Sequence, residues 1–98
     1  MPEFILSRQA ETDLSEIWAY IAEDNELAAN KLAASFVDTF EILANNPEIG
    51  TDRPELGVDL QHFPHKRYRI FYTKIDNGVE IYRVLHHSRD TDALFEDL

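Results

Sequence analysis

The chain has 98 residues, 44% of them hydrophobic and none of them cysteine, with 19 acidic against 9 basic side chains and a net charge of −10. That is core enough for one domain spanning residues 1–98, and it excludes disulfides, thiol catalysis and cysteine-held zinc. No run approaches the roughly 18 apolar residues of a membrane helix, and a polyanion is ill suited to coating nucleic acid, where phosphate neutralisation drives binding.

The N-terminal MPEFILS has no cationic segment and no long apolar run, so a secretory signal is not expected and the chain reads as cytoplasmic. Residues 3–6, EFIL, predict a short strand. Ser7 is placed to cap a helix whose first turn carries Glu11. Ala10, Leu14, Ile17, Trp18 and Ile21 then form one apolar stripe, which assigns Trp18 to the core and turns Glu11, Asp13, Glu16 and Glu23 to water. Asp24-Asn25 breaks the helix. A second stripe, Ala28, Leu32, Phe36, Phe40 and Leu43, is widened by Ala29, Ala33 and Val37. Small residues there let two helices approach closely, so residues 8–45 predict an αα-hairpin.

Asn45-Asn46-Pro47 stops the second helix, and residues 47–60 hold two prolines and two glycines in an irregular connector. Gln61-His62-Phe63 predicts a short strand ending at Pro64. Residues 67–74 and 79–86 are rich in β-branched and aromatic side chains, and the intervening Asp76-Asn77-Gly78 signals a hairpin turning at Asn77-Gly78. Period-2 alternation puts Tyr68, Ile70, Tyr72, Ile81, Arg83 and Leu85 on one face. Arg67, Arg69, Phe71, Thr73, Tyr82, Val84 and His86 take the other. Both sets are largely apolar, so cover is expected on both sides. In the tail, Leu94 and Phe95 are docking candidates among acidic neighbours. The order β-α-α-β-β-β predicts an α+β fold, with the αα-hairpin packed on a small antiparallel sheet.

Charge divides along the chain. Residues 1–60 carry three basic and thirteen acidic side chains, residues 61–89 six and two, and residues 90–98 four acids and no base. The C-terminal hairpin is therefore the one surface able to attract an anionic partner, unless Asp90, Asp92, Glu96 and Asp97 occupy it. His86 and His87 are adjacent in a strand and should point to opposite faces, which argues against a shared metal ion. No GxSxG, GxGxxG or GxxxxGK[ST] pattern occurs, so neither a serine elbow nor a nucleotide cradle is predicted, and no cofactor is expected. Metal-free RNA cleavage needs a base, an acid and a cation for the phosphorane. Arg67, Arg69, Arg83, Arg89, His86 and His87 can supply them from one sheet end. The structural alternative is that the arginines pair with acids and the histidines cap the strand. Arg83, between Ile81 and Leu85, must in any case find a carboxylate, backbone carbonyls or a partner.

Five segments in order carry a resemblance over nearly the whole chain: LSRQAETDLSEIWAYIAED (6–24), LANNPEIG (43–50), RPEL (53–56), LQHFPHKRYRIFY (60–72) and GVEIYRVLHHSRD (78–90). Together they resemble the ParE branch of the RelE/ParE toxin superfamily. The resemblance implies the toxin of a type II toxin–antitoxin module, of the plasmid-stabilising kind. It implies neutralisation by a ParD-like antitoxin, contact with DNA only through that antitoxin, and DNA gyrase as target, poisoned by binding without catalysis. Partner binding itself is placed by the charge pattern, at Arg67, Arg69, Arg83, His86, His87 and Arg89. RelE-like relatives instead cut mRNA on the ribosome. That alternative would use Arg69, Arg83 and His86 or His87, and a non-toxic antitoxin-binding module is a third reading. The net charge of −10 and the absence of a tyrosine after the last strand, where His-His-Ser-Arg-Asp stands at 86–90, favour the ParE side.

Overall fold

A computed structural model describes residues 1–57 and 59–88. The elements are β1 (Glu3–Leu6), α1 (Arg8–Ala22), α2 (Glu26–Asn45), a 3-10 turn (Pro47–Ile49), β2 (Thr51–Asp52), β3 (Leu60–His65), β4 (Tyr68–Ile75) and β5 (Gly78–His86). They form one five-stranded sheet in the order β1-β5-β4-β3-β2, with the helical hairpin on one face. The α+β class and the helical hairpin are as expected from sequence. The tail expectations, for Leu94, Phe95 and the four acids of residues 90–97, fall outside the described residues.

Helix starts follow the capping chemistry. The Ser7 hydroxyl oxygen accepts the Ala10 N–H at 3.0 Å, and the same hydroxyl donates to the Tyr82 carbonyl at 2.7 Å, so one side chain caps α1 and pins it to β5. The Asn25 side chain accepts from Ala28 N–H and begins α2.

Four sequence expectations are corrected. The sheet is mixed: β1 lies parallel to β5, its register fixed where Glu3 N–H donates to Asn77 O and Ser7 N–H to Ile81 O. A two-residue β2 also joins β3, within the predicted connector. The hairpin turns at Asp76-Asn77, with Ile75 opposite Gly78. Gly78 has φ +137°, and the Glu3 carbonyl occupies the space a Cβ would need. Finally, Phe71 pairs with Arg83 but Tyr72 with Ile81, so Tyr82 is an inserted residue, a β-bulge. One extra residue inverts the alternation beyond it. Val84 therefore joins Ile70, Tyr72, Val79 and Ile81 beneath the helices, while Leu85 lies on the opposite face with Phe71 and Leu60.

The main core fills the space between that face and Ala10, Phe36, Phe40, Leu43 and Ala44 of the helices. The far face is covered at Phe71 by Leu56 from the connector and by Tyr82. Tyr72, fully buried, donates its hydroxyl to Pro47 O at 2.9 Å and accepts Gly50 N–H at 2.8 Å, which ties the end of the hairpin to the sheet. Trp18 departs from the core assignment. It is 37% exposed, and its indole N–H donates to Asn30 Oδ1 at 2.8 Å. At about 100° per residue, Trp18 and Asp13 fall on opposite flanks of the α1 stripe. Trp18 faces α2 and Asp13 faces β5.

Candidate partner-binding site

The sheet end gathers part of the predicted set. The turn between β3 and β4 puts Lys66 in the left-handed region, φ 55°, and its next residue, Arg67, presents a carbonyl to the end of β5. His87 donates to that carbonyl twice, from its backbone N–H at 2.8 Å and from Nδ1 at 2.9 Å. His86 Nδ1 accepts the Ser88 N–H at 3.2 Å and contacts the Ser88 hydroxyl at 2.7 Å. Its ring stands perpendicular to Tyr68, and the His86 and His87 rings lie 4.5 Å apart. The expectation of opposite faces fails because β5 ends at His86 and the chain has already turned at His87. Arg67, His86 and His87 thus share one corner, with both imidazoles engaged through Nδ1.

Arg69 is elsewhere. It alternates with Phe71 onto the face away from the helices, beside His62. Burial pushes the His62 imidazole below its ordinary 6.5, helped by the Arg53 and Arg69 cations. Arg83 is turned by the bulge to the edge of β5 that short β1 leaves uncovered. There its Nε and Nη2 donate to the two Asp13 carboxylate oxygens at 2.8 and 3.0 Å, and the Val84 N–H donates to Asp13 at 3.0 Å. Asp13, read from sequence as water-facing, is 9% exposed. Its place between Ala10 and Ile17 at helical spacing was the available signal. Asp13 holds the Arg83 guanidinium above its ordinary range. Lys66, Arg67 and Arg69 make no ion pair among the described residues, so they are the sheet's uncommitted cations. Arg89 lies outside the described residues.

A second surface was not singled out residue by residue from sequence. Between α1, α2 and β1 opens an apolar cavity of about 150 Å³, lined by Phe4, Leu14, Trp18, Leu32, Phe36 and Val37 among others. Its rim is exposed: Val37 is 44% accessible and Trp18 stands at its mouth. Small Ala29 and Ala33 line it too, leaving room that larger side chains would fill. Chemically this is a slot for apolar side chains, next to a sheet end that offers positive charge. Among the described residues, no group of three His, Cys, Asp or Glu is placed to hold a metal ion, and no helix is long and apolar enough to cross a membrane.

Residues 4–91 match the family described as the ParE toxin of the type II toxin–antitoxin system, parDE. The chain is 33% identical over 95 residues to the Toxin ParE1 of Caulobacter vibrioides, an alignment covering 95% of this chain and 97% of that protein. Its fold superimposes on a structure of the chromosomal ParDE TA system from P. aeruginosa with a TM-score of 0.71, covering 88% of this chain and 96% of that one. At 18% identity the latter likeness is one of fold.

Proposed function

We propose, from the premise that this chain belongs to the ParE toxin family of type II toxin–antitoxin systems, that it acts by binding, without catalysing a reaction itself. A ParD-like antitoxin holds it inactive, and DNA gyrase is its target. The open apolar slot at Trp18 and Val37 carries the antitoxin half of this reading, because an amphipathic antitoxin segment that folds on docking would bury it. The non-catalytic half is supported by what the candidate acid–base groups do. Arg83 is committed to Asp13, His86 to Ser88 and His87 to Arg67 O, each in a local structural bond. Gyrase as target follows from the resemblance and from the family.

The test has two arms. Purified with its antitoxin, wild type should form a stable complex that Val37→Asp weakens. Freed of antitoxin, it should stabilise gyrase-cleaved DNA in a supercoiling reaction and leave ribosome-bound mRNA intact. Site-specific mRNA cuts that vanish in Arg69→Ala or His87→Ala would replace the gyrase reading with the ribonuclease one.

A further inference from the structure

Between α1 and the end of β5 lies a cleft of about 440 Å³, separate from the apolar slot. Its helical wall is Asp13, Glu16, Ile17 and Tyr20, the i, i+3, i+4, i+7 face of α1. The sheet wall includes Tyr68 and His86. The charges of this lining do not cancel. Asp13 is spent on Arg83 and on the Val84 N–H. Glu16 is exposed and makes no ion pair among the described residues, although its charge reaches Arg83. Tyr20 is 78% exposed. Burial holds the Tyr68 phenol above its ordinary range, so it remains neutral.

This combination selects a ligand. An anion would meet Glu16, and among the described lining residues there is no Lys or Arg to answer it. A purely apolar group would strip water from a carboxylate and two phenols without replacing their hydrogen bonds. An ammonium would satisfy the charge but holds its hydration tightly and has no flat face. A guanidinium answers all of these: it donates two parallel bonds to a carboxylate and stacks on phenol rings. A long side chain reaching in from outside also fits a cleft of this volume. We propose that the cleft between α1 and β5 is a receptor for an arginine side chain presented by the protein partner, with Glu16 as its counter-charge and Tyr20 as its stacking surface. The partner is the antitoxin, so this rests on the function proposed above.

The probe is N-acetyl-arginine amide, titrated into the isotope-labelled full chain and followed by amide NMR shifts, with the uncharged citrulline analogue as control. Saturable shifts should cluster at Glu16, Tyr20, Tyr68 and His86, and the citrulline analogue should produce none. Glu16→Gln and Tyr20→Ala, both at exposed positions and checked by circular dichroism, should each weaken binding about tenfold. Equal binding of citrulline, shifts elsewhere, or an unchanged Glu16→Gln would overturn the receptor. Antitoxin affinity separates this inference from its premise. Full antitoxin affinity in Glu16→Gln overturns the receptor and leaves the antitoxin reading standing. Wild type that fails to bind antitoxin sinks that reading, while the arginine titration still reports on the cleft. Self-association that Glu16→Gln abolishes would assign the cleft to a second copy of the chain, and overturn the antitoxin as its occupant.

Discussion

Asp13 accepts three hydrogen bonds from two consecutive β5 residues, and only one of its donors is neutral. With side-chain exposures of 18% for Arg83 and 10% for Asp13, the pair behaves more like a buried bridge than a surface one. Removing one partner leaves the other desolvated and unanswered. Asp13→Ala should cost about 3 kcal/mol in urea unfolding, and Arg83→Ala somewhat less, because Asp13 would keep the Val84 N–H. A double-mutant cycle should show a coupling of about 1–2 kcal/mol, and additive effects would mean the pair is not coupled.

His65 offers a second residue-scale test. Ser35 spends its single hydroxyl proton on Leu32 O at 2.7 Å, so it must accept from His65 Nε2 at 2.9 Å. Nδ1 is then the bare nitrogen that receives the Thr39 hydroxyl at 3.0 Å. Burial, and then Lys66, lower the imidazole below its ordinary 6.5. The neutral ring is the one the fold holds. Its stabilisation is complete above 6.5 and is lost as pH falls through the lowered value. Unfolding midpoints should therefore drop as pH falls below 6.5, and less steeply in His65→Gln. His62, lowered in the same direction, contributes to the residual slope.

At the scale of elements, the contacts that matter join segments distant in sequence. Ser7→Ala removes both the α1 cap and the bond to Tyr82 O, and should cost about 1–2 kcal/mol by thermal or urea unfolding. Tyr72→Phe leaves Pro47 O and Gly50 N–H without their partner, for a loss of about 1–3 kcal/mol. Gly50→Ala should be no milder, since a Cβ there would stand against the Tyr72 ring. The bulge at Tyr82 has the largest consequence for the site, because it aims Arg83 at Asp13 and returns Val84 to the core.

For the whole molecule, a net charge of −10 surrounds the sheet cations Lys66, Arg67 and Arg69, which make no ion pair among the described residues. An acidic partner segment is steered to them and screened by salt. Antitoxin association measured by stopped flow should slow as salt rises from about 0.05 to 0.5 M. Arg67→Ala and Arg69→Ala should lower the on-rate and leave dissociation nearly unchanged. Arg83→Ala should show its effect in stability instead. Equal behaviour of all three would dissolve the distinction between committed and free arginines.

The sequence by itself determined the helices, the cap of the first, the long hairpin and the polarity of charge. Each of these is written in local spacing: Ser7 before an apolar stripe, the Asp24-Asn25 break between two stripes, Asp76-Asn77-Gly78 between two strands, and cations confined to one segment. The resemblance carried by those same segments pointed to the family. The pairing of β1 beside β5, the bulge, the burial of Asp13 and the opening at Trp18 were decided only by tertiary structure. Their cause is non-local. Period-2 alternation cannot announce an inserted residue before the partner strand fixes the register. Nor can a helical stripe say which flank meets a sheet edge and which meets a second helix. Asp13 and Trp18 lie at similar angles from the centre of the same stripe. The uncovered edge of β5 made one a buried counter-ion, and the gap beside α2 left the other at the mouth of a slot.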